Sequence, residues 1–262
     1  MIIYFSGTGN SLAISRQIAD SIDDCVMPLA QAVKTDLTAE KRIGLVYPSY
    51  DFNAPPAVRQ WVPQLKISKS AYVFIIIPCG AQTGNAIWTI RKVLKDKGIR
   101  LAYAHKIRVP DNSAIAFGRN PNDQSWKFDR FASRLRTIIS DIKAEKHAYR
   151  FSGWSLAGWI MGRPAIEKKL LSAFRPVVNE TKCIGCRICS RVCPMNNIAI
   201  VARPNPSDNL SDSVARIQSA CTECLGCVHA CPQQAVELTG KSTLKDHQYR
   251  HPQVKISDMM LR

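Results

Sequence analysis

Eight of the ten cysteines fall into two copies of one spacing, Cys183-x2-Cys186-x2-Cys189-x3-Cys193-Pro194 and Cys221-x2-Cys224-x2-Cys227-x3-Cys231-Pro232. A Cys-x2-Cys-x2-Cys loop curls three thiolates around one 4Fe-4S cubane, and in paired runs the fourth cysteine of each ligates the other cluster. The spacing therefore predicts two 4Fe-4S clusters. One is expected on Cys183, Cys186, Cys189 and Cys231, and the other on Cys221, Cys224, Cys227 and Cys193. The proline after each fourth cysteine fixes φ and removes a backbone donor as the chain leaves the site. Zinc ribbons also pair Cys-x2-Cys units, but they have no use for a third cysteine at the same interval or for the Cys-x3-Cys-Pro ending. A disulfide framework requires an oxidising compartment. The chain instead opens Met1-Ile2-Ile3-Tyr4-Phe5 into a strand-like run with no basic stretch or cleavage site, and a cytoplasmic setting is expected.

The cysteine runs occupy the C-terminal third of 262 residues, which leaves room for a separate N-terminal fold with its own core. No apolar run reaches the length of a membrane span; the longest are Ala71 to Pro78 and Gly153 to Met161. The formal charge is +16, which falls to roughly +12 once two clusters are counted. Basic residues crowd the stretch from Trp126 to Arg175, including Arg130, Arg134, Arg136, Lys143, Lys146, Arg163 and Lys169. Such a stretch can steer an acidic protein partner or touch nucleic acid. A solvated helix face that offsets the negative clusters is the simpler reading.

Ile2 to Phe5, Val26 to Leu29, Ile43 to Tyr47, Tyr72 to Ile77 and Leu101 to Val109 are short runs rich in Ile and Val. Between them lie helix-capable segments, Ser11 to Ile22, Pro56 to Gln64 and Thr83 to Lys97, with Ser125 to His147 after the last. The alternation predicts a five-stranded parallel sheet buried on both faces, in a doubly wound α/β domain. Such sheets bind ligands beyond the carboxyl ends of their strands, at the switch point of strand order. Ser6-Gly7-Thr8-Gly9-Asn10-Ser11 stands there after the first strand, with glycines for tight turns and hydroxyls and an amide at a helix N-terminus. It suits a phosphate. It lacks the lysine of a P-loop, and Leu12 stands where a dinucleotide fingerprint needs a third glycine, so a phosphomonoester fits best. Pro48-Ser49-Tyr50-Asp51-Phe52-Asn53 offers two aromatics for stacking on a flat ring. Cys79-Gly80-Ala81-Gln82-Thr83-Gly84-Asn85 offers close backbone approach and amides for a ring edge.

The hydroxyl-rich loop resembles the FMN phosphate loop of flavodoxins. The order of the chain, a flavodoxin-like half followed by two cluster motifs, resembles the flavodoxin and ferredoxin fusion proteins of anaerobic prokaryotes. Tyr47-Pro48-Ser49-Tyr50 and Pro110-Asp111-Asn112 also resemble segments of that family. The resemblance implies a flavodoxin-like FMN domain over 1–148, a helical connector over 149–175, a small α+β two-cluster ferredoxin domain over 176–240 and a tail over 241–262. It implies FMN phosphate contacts from Ser6, Gly7, Thr8, Gly9, Asn10 and Ser11. It places Ser49, Tyr50, Phe52, Gly80, Gln82, Thr83 and Asn112 near the flavin ring. Many ferredoxins carry glycine after the second cysteine of each motif, where this chain has Arg187 and Leu225. Arg187 would set a fixed cation beside the first cluster and raise its potential.

Cys25 and Cys79 are left over and are expected as buried packing residues. The histidines at 147, 229, 247 and 251 show no ligand spacing, and the basic tail is expected to stay partly disordered or to wrap the surface. A flavin takes electrons singly or in pairs and each cluster takes one. The combination predicts an electron-transfer flavoprotein that serves a redox protein partner. Two other readings carry their own signatures. An FMN-dependent oxidoreductase fed by the clusters would close residues Asp111 to Asn122 over a small organic substrate. A redox sensor would bind an acidic partner or nucleic acid through the basic stretch.

Overall fold

In a computed structural model, the described residues are 1–149, 156–161, 163, 166, 169, 172, 175–203, 211–239 and 245–260. Contacts divide the chain into two units. The first is Met1–Ser6, Asn10–Pro110 and Ser125–Glu167, and the second is Gly7–Gly9, Asp111–Gln124 and Lys168–Arg262.

The first unit is a parallel sheet with helices between its strands. Its elements are β1 (Ile2–Tyr4), α1 (Asn10–Ile22), β2 (Val26–Pro28), β3 (Arg42–Val46), α2 (Pro56–Trp61), β4 (Tyr72–Cys79), α3 (Ala86–Asp96), β5 (Leu101–Arg108), α4 (Phe131–Lys143) and β6 (Ala148–Tyr149). The strand order is β2-β1-β3-β4-β5-β6 and every pairing is parallel. The first five strands therefore follow the flavodoxin-like order 2-1-3-4-5, whose switch point lies between β1 and β3. The expected five strands are all present. The sixth is a two-residue edge just past the helix expected to end at His147, and it extends the expected five-stranded sheet. A further parallel pair, Asp36–Leu37 with Lys66–Ile67, stands outside this sheet.

All eight residues of β4 are buried, as a central strand covered on both faces requires. Ile14, Ile18, Ala19 and Ile22 of α1 and Leu135, Ile138 and Ile142 of α4 pack with Ile2, Phe74, Ile76 and Tyr103 in one core. Their spacing by three and four residues is the apolar stripe of a helix lying on a sheet. The helix expected from Ser125 is α-helical only from Phe131, because Pro121–Phe128 winds as a 3-10 helix. Thr83 to Asn85 form the turn before α3 rather than its first residues. Cys79 is buried, as expected, but Cys25 is exposed in the turn before β2, which overturns its packing assignment.

Most of the expected connector, including Trp154, lies outside the described residues. Its described part holds a short helix, Leu156–Met161, and the Arg163 guanidinium 4.0 Å from the Trp159 ring centroid.

The second unit is small. The strands β7 (Pro176–Val178) and β10 (Val236–Leu238) pair antiparallel, as do β8 (Ile198–Ala202) and β9 (Ser213–Ile217), and two short helices, α5 (Ile188–Arg191) and α6 (Gly226–Ala230), each lie within a cysteine run and carry its third cysteine. The two runs share a backbone plan. The third residue of each is left-handed, Gly185 at φ 66° and Glu223 at φ 49°, and so is the fifth, Arg187 at φ 66° and Leu225 at φ 61°. The residues where many ferredoxins carry glycine therefore occupy a conformation that costs any L-residue about 1 kcal/mol. Arg187 is exposed, whereas Leu225 is 2% exposed within the unit's core. An Arg187→Gly variant is expected to hold or raise stability by up to about 1 kcal/mol. Leu225→Gly is expected to lose roughly 2–3 kcal/mol, because the lost packing outweighs the relieved turn. Anaerobic thermal unfolding followed through cluster absorbance would separate the two; equal losses would refute the account.

Candidate functional site

Eight cysteines form two sets. Cys183, Cys186, Cys189 and Cys231 line one recess together with Ile184, Arg187, Ile200 and Val236. Cys193, Cys221, Cys224 and Cys227 line a second with Pro176, Ile198, Ile217 and Leu225. The crossed sets expected from the spacing are thus the sets that share a cavity. All ten cysteines are free thiols, and among the described residues no group of His, Cys, Asp and Glu is disposed to hold a single metal ion.

Burial pushes Cys189 up to about 12 and Cys221 to about 11, and drives Cys224 and Cys227 higher still, with neighbouring thiols adding to the effect. Apolar walls oppose ionisation of a thiol, and only a strong local positive charge makes a buried thiolate set favourable. A ferric cluster supplies that charge, so the donor set fits two 4Fe-4S groups. Each fourth cysteine has a matching second contact. Asn197 N–H donates to Cys193 Sγ (3.3 Å) and Ala235 N–H donates to Cys231 Sγ (3.2 Å), each from four residues on. Such bonds stabilise charge on sulfur and tune cluster potential.

The loop Ser6 to Ser11 joins β1 to α1, a helix of 13 residues with no acidic residue in its first turn. Its dipole therefore meets no opposing side-chain charge. Four of the six residues, Ser6, Thr8, Asn10 and Ser11, bring hydroxyls or an amide, a donor set suited to a phosphate monoester. Within the first unit, Asn10 Nδ2 donates to Pro110 O (3.2 Å) at the end of β5. Within the second, the loop's middle meets the cluster domain. A Cβ on Gly7 would collide with the Cys224 carbonyl, and one on Gly9, at φ 93°, would lie 3.0 Å from Val254. His251 N–H donates to Thr8 O (2.9 Å). Both glycines are therefore demanded by neighbours as well as by the turn.

Two more loops of the first unit are tied together. Tyr47, buried at the end of β3, donates through its hydroxyl to Ala86 O (3.1 Å), and Ser49 Oγ donates to Thr83 O (3.0 Å). Burial holds the Tyr47 phenol well above its ordinary pKa, so it stays a neutral donor. Tyr50 and Asn53 exchange both backbone bonds (2.8 and 2.7 Å), and the turn between them places Asp51 at φ 44° and Phe52 at φ 62°. Two positive φ values define a type I′ turn, which favours Asn-Gly and penalises phenylalanine. Phe52 is 40% exposed, so core packing is not what compensates its strain. Strained residues persist where a function or a rigid frame holds them. The frame here is Asn85 N–H on Phe52 O (2.6 Å), with Gly84 packed against the Phe52 backbone. Ser49, Tyr50, Phe52 and Thr83 are thereby brought together. Gln82 lies exposed at the same edge with Oε1 accepting from Lys106 Nζ (3.0 Å), and Gly80 lies at the end of β4.

Asn112 falls in the second unit, and its side chain is engaged there. Nδ2 donates to Cys224 O (3.1 Å), while Asn112 O accepts from His229 Nε2 (3.1 Å). Tyr249 N–H donates to His229 Nδ1 (2.9 Å), which fixes the proton on Nε2, and burial pushes this imidazole down to about 4. Gln248 Nε2 donates to Val228 O (2.9 Å) and Cys231 O (2.8 Å). Burial also pushes His251 down to about 4. These contacts correct the expectation of a loose tail: Tyr249, His251 and Val254 are each 3% exposed, and 245–260 is part of the second unit's packing. Residues 240–244 and 261–262 of the expected tail lie outside the described residues.

Two arginines stand at the first recess, Arg187 on its lining as expected and a second that the sequence reading did not single out. Arg187 is exposed and its charge is screened by solvent. Arg203, 8% exposed, donates Nη2 to Cys183 O (2.7 Å), Nη1 to Glu180 O (2.7 Å) and Nε to Ser211 O (2.9 Å). Nothing in the local sequence around Arg203 marks it, because all three partners are distant in the chain.

Residues 182–235 match the 4Fe-4S dicluster domain. Two curated relatives match part of the chain. A component of the ion-translocating oxidoreductase complex of Methanosarcina acetivorans is 39% identical over 62 residues, 23% of this chain and 20% of that protein. A pyruvate dehydrogenase [NADP(+)] of Cryptosporidium parvum is 28% identical over 110 residues, 35% of this chain and 6% of that protein. The chain thus spans a fifth of the first relative's length and far less of the second's. Among solved structures it is similar to a flavodoxin from the domain Archaea (15% identity, 55% of this chain, 95% of that chain, TM-score 0.32). It is also similar to rubredoxin oxygen:oxidoreductase of Desulfovibrio gigas (14% identity, 55% of this chain, 36% of that chain, TM-score 0.34). The N-terminal fold rests on strand order and connectivity rather than on these scores. The chain joins a flavodoxin-like α/β domain to a 4Fe-4S dicluster domain, and so carries two one-electron centres.

Proposed function

We propose that the chain is an electron-transfer flavoprotein that exchanges electron pairs at FMN and single electrons at its two clusters. The observation that carries the reading is the coexistence of two four-cysteine recesses with a hydroxyl-rich loop at the switch point of a flavodoxin-like sheet. Bound FMN supplies redox chemistry in one-electron and two-electron steps. The chain's own part is to bind, orient and shield. Ser6, Thr8, Asn10 and Ser11, with the backbone of Gly7 and Gly9, would hold the phosphate. Ser49, Tyr50, Phe52, Gly80, Gln82 and Thr83 would frame the ring, with Phe52 the exposed aromatic available for stacking. The Asn112 amide is already committed to Cys224 O, so its proposed contribution near the ring passes to its backbone and loop. The eight motif cysteines would ligate the clusters in the crossed sets that line each recess.

The partner is proposed to be an acidic redox protein, because the chain carries 36 Lys and Arg against 20 Asp and Glu and complementary charge accelerates encounter.

Anaerobic reductive titration of purified protein, with released flavin and iron quantified, is expected to give about one FMN, eight irons and four electron equivalents per chain. Eight irons without flavin after reconstitution with FMN would reassign the phosphate loop to another phosphate ligand and end the three-centre reading. Phe52→Gly offers a sharper check, since glycine suits the left-handed turn. The fold is expected to gain up to about 1 kcal/mol, while FMN affinity measured by flavin fluorescence falls roughly tenfold with the loss of stacking. Unchanged affinity would remove Phe52 from the site.

A further inference from the structure

We infer that the two clusters have different stations: the Cys193, Cys221, Cys224 and Cys227 cluster exchanges electrons with the flavin, and the Cys183, Cys186, Cys189 and Cys231 cluster is the outlet to the partner. The inference rests on the flavin reading above.

The second unit contains both the middle of the phosphate loop and the two cluster recesses, so the distinction can be drawn inside it. Cys224 is the point of closest approach. Its carbonyl packs on the Cα of Gly7 with no space for a Cβ between them, and a Cβ on the adjacent Gly226 would lie 2.7 Å from Gly7 O. The same carbonyl accepts the Asn112 amide (3.1 Å). From the Cys224 sulfur, an electron leaves through its own Cβ, Cα and carbonyl and crosses one packed contact into the phosphate loop. Cys224 and Cys227 are buried, and Leu225 closes that side at 2% exposed.

The other recess has no such contact. Its nearest described tie to the loop starts at Cys231 O, passes through the Gln248 side chain (2.8 Å), follows the backbone to residue 251 and crosses one hydrogen bond to Thr8 O (2.9 Å). That route is longer by a whole side chain and three residues. The recess instead meets solvent. Cys186 and Arg187 are exposed, and Ile184 on its rim is 46% exposed. Arg191 is exposed nearby in sequence, while Lys182 is paired with Glu237 (2.7 Å). Arg203 on the Cys183 loop adds a buried positive charge that favours an added electron here. Geometry and charge point the same way, inward at Cys224 and outward at Cys186.

Each step moves one electron and breaks no bond in the chain. A two-electron donor of the hydride class refills the flavin. Electrons would then leave bound flavin one at a time through the inner cluster to the outer one, with the corresponding protons released to solvent. The partner removes electrons singly from the outlet cluster.

The test uses holoprotein in which bound flavin is photoreduced by a laser flash with EDTA as the sacrificial donor, while cluster bleaching is followed anaerobically. Cys221→Ser, which removes a ligand from the inner set, is expected to slow the arrival of electrons on the remaining cluster by an order of magnitude or more. Arg187→Gln, which alters the outer recess but removes no ligand, is expected to leave electron arrival on the inner cluster at the wild-type rate. The reverse pattern overturns the inference. Where a cysteine variant fails to assemble, Asn112→Ala and Gln248→Ala keep all eight ligands. With iron content unchanged, the first is expected to slow flavin-to-cluster transfer and the second to leave it unchanged; equal effects or the opposite order overturn the inference. A readout independent of turnover is the EPR signal of the reduced clusters in flavin-stripped protein. Reloading FMN is expected to alter the inner cluster's signal and spare the outer one's, and an effect confined to the outer cluster contradicts the assignment. Wild-type protein that binds no FMN removes the flavin reading and this inference together. Protein that binds FMN but whose flash-reduced flavin delivers electrons to the outer cluster before the inner one removes this inference alone.

Discussion

The rest of the second unit depends on one electrostatic constraint: buried thiols ionise only where a cation meets them. Around each recess the walls are apolar and burial drives several thiols far above their ordinary range. Iron reverses the sign of this effect by making the thiolate the favoured form. The unit has two two-stranded sheets, short helices and a modest set of buried aliphatic residues. Cys193 and Cys231 each leave their own run for the other recess, so clusters bound there would fasten the two halves of the unit to each other and offset its small core. Metal binding and folding are coupled wherever ligands converge from distant parts of a chain.

The same constraint explains why the backbone is bent where it is. Wrapping three thiolates around one centre within seven residues requires the chain to turn left-handed twice, at the third and fifth positions of each run. Only one of those four positions is glycine. The chain tolerates the other three because the turn is over-determined, by the ligands on either side and, at Leu225, by burial. Phe52 in the first unit shows the same logic without metal, its left-handed conformation fixed by the paired bonds of Tyr50 and Asn53 and by Asn85 N–H on its carbonyl.

Much of this was legible in the sequence, and the part that was not has a common physical cause. Five strands and the sorting of the cysteines into two crossed sets could be read because each signal is local: a buried strand is a run of apolar residues, and a cysteine run is a fixed spacing. The register of helix starts was less legible, since Pro121–Phe128 winds as a 3-10 helix before α4 and hydrophobic periodicity does not distinguish the two over one or two turns. Arg203, His229 and Gln248 were not legible at all. Each acts on backbone carbonyls or amides far along the chain, and a backbone partner leaves no trace in the residue type at its position. Arg187, beside a ligand in sequence, does line the first recess, but it is exposed, so solvent screens its charge.

Glycine at positions 7 and 9 joins these levels. In an isolated flavodoxin-like sheet, these residues would be explained by the turn and the phosphate alone. Here Gly7 also meets the Cys224 carbonyl and Gly9 meets Val254, and all four residues belong to the second unit. Any side chain at position 7 would push the Cys224 backbone away. The permissive residue is therefore required at position 7 for what it omits, and at position 9, with φ 93°, for what its backbone can also adopt.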